Sequence, residues 1–234
     1  MTLAPHEFWQ EVYAPGTFSA EPDAGYDDVF PATLPDSRQI AFPIRALPGD
    51  GQSAVASLIV NQASFAVEDA LSDAMANALD PHEPEIIIGV PTLGLPLANA
   101  VARRLGHMRM VALGTSRKFW YRDELSEPMS SITSPEQIKR IYLDPRILPL
   151  LEGKRVAVVD DVTSSGATLG AVLRLLHQAG IRPAAAAFAM LQGEAWKTVV
   201  TASHVPDLKI SGAVVTPLLR RGSDGLWYAV DRRP

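Results

Sequence analysis

The pattern of apolar and polar residues is irregular at the start of the chain. Residues 1–52 are rich in proline, which fixes the backbone angle φ and has no amide donor, so no long helix is expected there. Short strands are predicted at Gln39–Ile44 and Ala54–Val60. The turn-forming pair Asp50-Gly51 lies between them and indicates a hairpin.

The pattern becomes regular at Phe65. From there to Leu79, apolar residues recur about every four positions, which predicts a helix, and Asp80-Pro81 ends it because the residue before proline avoids the helical region. Short apolar segments, typical of strands buried on both faces, then alternate with helical ones. The predicted strands are Glu85–Val90, Met108–Ala112, Arg155–Asp160 and Ala184–Met190, and the predicted helices are Leu95–Leu105 and Ala167–Ala179. This alternation indicates an α/β fold with a central parallel sheet flanked by helices.

A polar stretch from Gly114 to Ser134 interrupts this alternation. Loops of this length are uncommon in compact domains and are often lids. The segment Ser134-Pro135-Glu136-Gln137 then has the pattern of a helix start, with a capping serine and a proline in the first turn, and Asp144-Pro145 would stop that helix. Nearer the C-terminus, strands are predicted at Ile210–Thr216 and Trp227–Val230.

Composition narrows the class of protein. The chain has 234 residues, 47% of them hydrophobic, which is enough for a packed core. It has no cysteine, which excludes a disulfide scaffold, a thiol nucleophile and a cysteine-ligated metal. The net charge of −5 argues against a protein that binds nucleic acid through phosphate neutralisation. Apolar runs are too short for a membrane helix and no signal peptide is recognised, so a cytoplasmic protein without membrane partners is expected.

The segment from Val158 to Thr168 carries the most informative chemistry. A buried strand ends in the adjacent carboxylates of Asp160 and Asp161, and a turn rich in hydroxyls, with Gly166, leads into a helix. Ligands of open α/β sheets bind beyond the carboxyl ends of strands, and the amides of such a turn form an anion site. Carboxylates repel a phosphate but suit hydroxyls or Mg²⁺. A phosphate beside a vicinal diol describes a ribose 5-phosphate.

This run of residues resembles the motif with which type I phosphoribosyltransferases bind 5-phosphoribosyl-1-pyrophosphate (PRPP). The shared order is an apolar pair, two acidic residues, one apolar residue and then T-S-S-G-x-T. The resemblance implies the type I fold with a small variable hood, and it implies that Asp160 and Asp161 hold the ribose hydroxyls and Mg²⁺, directly or through water. The residues it assigns to the 5-phosphate are Val162, Thr163, Ser164, Ser165, Gly166, Ala167 and Thr168.

The resemblance also implies a pyrophosphate loop after an earlier strand. Pro91, Thr92, Leu93 and Gly94 stand at that place. Relatives often carry a charged side chain in this loop, whereas this chain has none, so binding there would rest on main-chain amides. An ordinary tight turn between strand and helix is the alternative.

A mobile lid over the reacting centre is a further property of the family. The polar stretch Gly114–Ser134 fits it, and Arg117 and Lys118 would neutralise the departing pyrophosphate. Asp123 and Glu124 are interpreted as a solvated charge cluster instead.

The hood is assigned to residues 1–66, the PRPP-binding core to 67–200, and the segment 201–234 is a candidate addition to the hood. The segment around Asn61 faintly resembles one that touches the base in xanthine phosphoribosyltransferases. The alternative, which we favour from the sequence, is that Asn61 and Gln62 cap the following helix.

The resemblance to this family implies a Mg²⁺-dependent pentosyltransferase of nucleotide salvage. It would displace pyrophosphate from PRPP with a ring nitrogen of a purine-type base, and relatives suggest a homodimer. The second hypothesis is a non-catalytic protein of the same fold that senses PRPP or a nucleotide. The first 80 residues hold no lysine and only Arg38 and Arg45 as arginines, which argues against a DNA-binding segment there.

Overall fold

A computed structural model describes residues 3–19, 24–49, 51–131 and 134–230 of the protein, and for residues 130, 131 and 134–138 the backbone only. Asp50 of the predicted turn lies outside these ranges. The main sheet has five parallel strands in the order β10-β9-β8-β4-β5. Its strands are β4 (Ile86–Gly89), β5 (Val111–Ala112), β8 (Val156–Thr163), β9 (Pro183–Gln192) and β10 (Lys209–Thr216).

Helices cover both faces of this sheet, as the apolar pattern predicts. The helices are α1 (Phe65–Leu79), α2 (Gly94–Arg104), α3 (Ala167–Gln178) and α4 (Ala195–Thr201). On one face, Ile87 and Val159 pack in a cluster with residues of α1 and α2. On the other face, Ile88 and Val158 pack with residues of α3. Because successive side chains of a strand point to opposite faces, strands covered on both faces are apolar throughout. The predicted α/β architecture is confirmed.

A second sheet of five antiparallel strands lies against the first face of the parallel sheet. Its order is β1-β2-β3-β11-β12. Its strands are β1 (Val29–Thr33), β2 (Gln39–Ala46), β3 (Ser53–Ala56), β11 (Leu218–Arg221) and β12 (Trp227–Ala229). Phe42 and Leu219 of this sheet are buried in the cluster that contains α1. The chain after residue 201 is thus divided, since β10 joins the parallel sheet while β11 and β12 join the antiparallel one.

The predicted helix at Ser134-Pro135-Glu136-Gln137 is wrong. That segment opens strand β7 (Ser134–Tyr142), which pairs antiparallel with β6 (Ser126–Ser131). Packing explains the difference, because Met129 and Ile141 of this hairpin are buried against residues of α3. Tertiary contacts of this kind override a local capping signal. Asp144-Pro145 begins a 3₁₀ helix, Pro145–Leu150, and does not end an α-helix.

None of the helices in the described ranges combines the length and the hydropathy that crossing a bilayer requires.

Candidate functional site

The sheet order places the motif residues at one point of the parallel sheet. The chain leaves β4 for β5 on one side and then returns to β8 on the other side, so the direction of winding reverses between β4 and β8. In open α/β sheets, ligands bind in the crevice outside the carboxyl ends of the strands at this reversal. The loop Pro91–Leu93 follows β4, and the acidic pair lies near the carboxyl end of β8. Two segments selected from sequence therefore flank one crevice.

The two carboxylates sit in a desolvated environment. Asp160 is 6% exposed, and its Oδ1 accepts a hydrogen bond of 2.9 Å from the backbone N–H of Asp161. Burial raises the pKa of Asp160 well above its ordinary value, and the neighbouring Asp161 carboxyl raises it further. Burial also raises the pKa of Asp161. A carboxyl whose ionisation is disfavoured by burial suits a ligand that supplies hydroxyl donors or a cation.

Helix α2 begins directly beside this pair. A Cβ on Gly94 would lie 2.6 Å from Oδ1 of Asp160 and 2.8 Å from its Cα, so only glycine fits at this position. The N–H of Val90 donates to the carbonyl of Val159 over 3.0 Å, which holds the start of the loop on β8. The Pro91–Thr92 peptide bond is cis, and Thr92 is exposed.

The turn after β8 has the features of an anion site. Gly166 has φ of +79°, the left-handed region that glycine favours, and this conformation lets the chain enter α3 without a capping side chain. Thr163 is buried, and its Oγ1 has no hydrogen-bond partner among the described residues. Since a buried hydroxyl is normally paired, Thr163 provides a ready donor or acceptor for a ligand. Helix N-termini of this kind attract phosphate groups.

The remaining residues assigned to the 5-phosphate line the same turn. Ser165 accepts a hydrogen bond of 3.3 Å from the backbone N–H of Ala167 through its Oγ. The half-buried members of the turn are Val162, Ser164, Ser165 and Thr168, whereas Ala167 is exposed.

The segment predicted to be a lid is shorter and more anchored than the sequence indicates. It leaves the carboxyl end of β5 and contains Arg117, Lys118 and Phe119, all of them exposed. Arg117 forms an exposed ion pair of 3.0 Å with Asp123. Such pairs contribute little to stability, so Arg117 is available for another partner at small cost. From Ser126 onward the chain belongs to the β6–β7 hairpin.

Trp120 fixes the base of this segment. Its indole N–H donates to Oδ2 of Asp144 over 3.2 Å, and the guanidinium of Arg146 lies 4.0 Å from the centre of its ring. Hydrogen bonds from Arg146 lower the pKa of Asp144 to about 2, so this carboxylate stays ionised. The exposed part available to move is therefore the stretch between β5 and Trp120.

The favoured interpretation of Asn61 is wrong. Asn61 lies in a 3₁₀ turn, Val60–Gln62, and is exposed, but the cap of α1 is Ser64, whose Oγ accepts from the N–H of Val67 over 3.3 Å. Contact of Asn61 with a base stays a prediction.

Two features of the end of β9 were not predicted from sequence. Gln192 is buried, and its Nε2 donates over 2.8 Å to the carbonyl of Ala56 on β3, which ties the parallel sheet to the antiparallel one. Trp196, on α4, lies against Gly166. The signal available in the sequence was their position just after an apolar strand, at the edge where ligands bind.

The described part of the chain brings together no group of three or more histidine, aspartate and glutamate side chains suited to hold a metal ion. Asp160 and Asp161 are the carboxylates at the crevice. Their oxygen atoms are the ligand type that Mg²⁺ prefers, and Mg²⁺ is commonly held by one or two carboxylates with substrate phosphates and water. The pair therefore fits an ion shared with a substrate.

Comparison with known proteins gives a consistent result. A family model described as a phosphoribosyl transferase domain matches residues 58–217. The chain is 29% identical over 122 residues to an adenine phosphoribosyltransferase of Rhodospirillum centenum, a match covering 50% of this chain and 64% of the relative. It is 30% identical over 104 residues to a probable purine biosynthesis transcriptional regulator of Streptococcus pneumoniae, covering 44% of this chain and 37% of that protein. Both matches span less than two thirds of the relative's length.

The fold is similar to that of a solved structure, the adenine phosphoribosyltransferase of Giardia lamblia in complex with 9-deazaadenine. The TM-score is 0.55 with 20% identity, and the similarity covers 80% of this chain and 93% of the other. At this identity the comparison establishes the fold.

Proposed function

Because the chain belongs to the phosphoribosyltransferase family, we propose that it transfers the 5-phosphoribosyl group of PRPP to a ring nitrogen of a purine-type base. The resemblance noted from the sequence, and the type I fold that it implies, are confirmed. One observation carries the proposal: the buried Asp160, the half-buried Asp161 and a phosphate-type turn lie in succession at the reversal point of the sheet. This arrangement supports a site that accepts hydrogen bonds from a diol and donates hydrogen bonds to a phosphate.

In this reaction the bond from C1 of the ribose to the pyrophosphate oxygen breaks, and a bond from the base nitrogen to C1 forms. The pyrophosphate leaves with the bonding electron pair, and the nitrogen loses its proton to solvent. Little covalent work falls to the protein, which must orient the substrates and exclude water.

Each segment of the site has a proposed part. Asp160 and Asp161 accept hydrogen bonds from the ribose hydroxyls, and the turn from Thr163 to Thr168 donates to the 5-phosphate. The backbone N–H groups of Thr92, Leu93 and Gly94, in the loop Pro91–Gly94, bind the pyrophosphate, supported by the N-terminus of α2. Arg117 and Lys118 approach the departing pyrophosphate when the exposed segment after β5 moves toward it. Their charge then opposes the charge that develops on the leaving group.

Asp160 and Asp161 are also the proposed holders of Mg²⁺, directly or through water. When bound, the ion would stabilise the negative charge of the pyrophosphate. The raised pKa values of both carboxyls predict that a cation draws them into the ionised form.

A purine acceptor is supported by the adenine phosphoribosyltransferase relative. The similarity to a probable transcriptional regulator supports the second hypothesis, a protein that binds PRPP without turnover. The exposed Arg117 and Lys118 beside the crevice favour the enzyme, since a sensor needs no groups for a departing pyrophosphate.

The test is incubation of the protein with PRPP, Mg²⁺ and a panel of purine and pyrimidine bases, with mass detection of nucleotide products. We expect one purine to yield its 5′-monophosphate together with pyrophosphate. The double variant Asp160→Asn, Asp161→Asn is the matched control and should yield none while remaining folded. Tight PRPP binding without any nucleotide would replace the transferase with the sensor.

A further inference from the structure

We propose that Trp196 is a positioning residue for the turn that binds the 5-phosphate. The inference rests on the proposed function, because it concerns the same turn. Trp196 is the second residue of α4 and belongs neither to the acidic pair nor to the loop after β4. Its proposed role is to hold α4 in position against Gly166.

The contact between Gly166 and α4 leaves no free space. A Cβ on Gly166 would lie 2.9 Å from Cα of Trp196 and 3.0 Å from Cγ2 of Val199. The backbone of α4 therefore forms a wall directly behind the residue at which the turn changes direction. Gly166 has a φ of +79°, a backbone conformation that few other residues adopt. The shape of the turn therefore depends on the position of α4.

The indole of Trp196 holds the wall in place. Its N–H donates to the carbonyl of Gly193 over 3.1 Å, which joins the first turn of α4 to the end of β9. Gly193 is itself fixed to the parallel sheet, since its own N–H donates to the carbonyl of Thr216 over 2.8 Å. The residue before α4, Glu194, makes no side-chain capping hydrogen bond, so the indole supplies the anchor that a cap would.

The helix is too short to hold this position alone. It has seven residues, Ala195–Thr201, and isolated helices of that length are unstable in water. The ring of Trp196 packs against the apolar cluster that contains Leu169 and Val172 of α3. Trp196 thus links the residue after β9 to the apolar cluster that includes α3, and in this way it would hold the amides of the turn in position. Binding that relies on main-chain amides is sensitive to small displacements of those amides.

The experiment compares two tryptophan-to-phenylalanine variants of the full chain. Trp196→Phe keeps most of the ring but removes the N–H. The matched control is Trp9→Phe, since Trp9 is buried and also donates its indole N–H to a backbone carbonyl, that of Ser57 over 2.9 Å. Calorimetric titration measures affinity for two probes, ribose 5-phosphate and inorganic pyrophosphate, and thermal unfolding measures stability.

We expect Trp196→Phe to weaken ribose 5-phosphate binding about tenfold and to leave pyrophosphate binding unchanged. Trp9→Phe should lower the melting temperature without changing either affinity. In turnover, the Michaelis constant for PRPP should rise about tenfold in Trp196→Phe with little change in kcat. Unchanged ribose 5-phosphate affinity in Trp196→Phe, or equal losses in both variants, would overturn the positioning role.

Two other results would have a different meaning from those above. If the unaltered protein binds neither probe, the proposed function fails, not the role of Trp196 alone. If Trp196→Phe shows no cooperative unfolding transition, Val199→Ala carries the test, because it trims the same wall and leaves the indole intact. It should weaken ribose 5-phosphate binding about threefold, and unchanged binding would again overturn the inference.

Discussion

Asp160→Asn is expected to make the protein more stable while it destroys the site. The carboxyl of Asp160 is 6% exposed and accepts one hydrogen bond from a backbone N–H within the described structure. An asparagine carbonyl accepts that same bond in the same volume. What the substitution removes is an ionisable group whose pKa is raised by burial and by the adjacent Asp161.

The sign follows from proton linkage. In the unfolded chain, Asp160 ionises near its ordinary pKa, whereas the folded protein retains the proton to higher pH. The folded state therefore binds more protons between these two values, so stability falls as the pH rises through that interval. Above the higher of the two pKa values, the folded protein bears the full free-energy cost of ionising Asp160. Asparagine does not titrate, so the advantage of the variant should be absent at pH 3 and grow toward neutral pH.

The size of the effect follows from the cost of burying a polar group without full compensation. That cost is about 1–3 kcal/mol, so we expect a gain of about 1–3 kcal/mol at pH 8. For a chain of this size, that is a rise in melting temperature of about 2–12 °C. Urea denaturation between pH 4 and pH 8, without ligand, measures it.

The control is Asp224→Asn. The carboxyl of Asp224 is exposed, and its pKa is lowered by the hydrogen bond that it accepts from the hydroxyl of Tyr228, so the same substitution should bring no gain in stability there. An Asp160→Asn protein that is less stable than the original at pH 8, or whose advantage does not change with pH, would refute the assignment of a desolvated carboxyl.

Three further outcomes are expected. Gly94→Ala should lower the free energy of unfolding by about 1–3 kcal/mol in urea, because its Cβ would lie 2.8 Å from Cα of Asp160, and calorimetry should show weakened PRPP binding; unchanged stability would contradict the close approach. Lys118→Ala should reduce kcat more than PRPP affinity, since the charge acts on the leaving group, and equal losses would indicate ground-state binding instead. Asp144→Asn should destabilise the protein at pH 7 and much less near pH 2, because the pKa of about 2 means that the carboxylate's contribution is lost as the pH falls from about 4 through that value; melting curves at both pH values test this.

The sequence predicts the parallel sheet well because its signals are local. Ile86, Ile87 and Ile88 form an apolar run that only a strand covered on both faces would carry. The acidic pair is also a local signal, because two charges that end such a run are expensive to bury without a purpose. The antiparallel strands have weaker patterns, and β1 and β11 were not predicted at all.

What the sequence does not give are contacts between distant segments. Gly94 lies against Asp160, 66 residues away, and no local pattern encodes that approach. The position of the β6–β7 hairpin also depends on a contact between distant segments. Glu127 is buried and accepts a hydrogen bond of 3.0 Å from Nε of Arg174 on α3. The anchor of α4 on the end of β9 also appears only when the chain is folded.

In the proposed function, the crevice between β4 and β8 binds PRPP through the acidic pair and the turn after it. The most direct test is calorimetric titration of PRPP with Mg²⁺ into the unaltered protein and into the Asp160→Asn, Asp161→Asn variant, after circular dichroism has shown both to be folded. We expect saturable binding at one site per chain in the first and none in the second. Equal binding by the two proteins would contradict it.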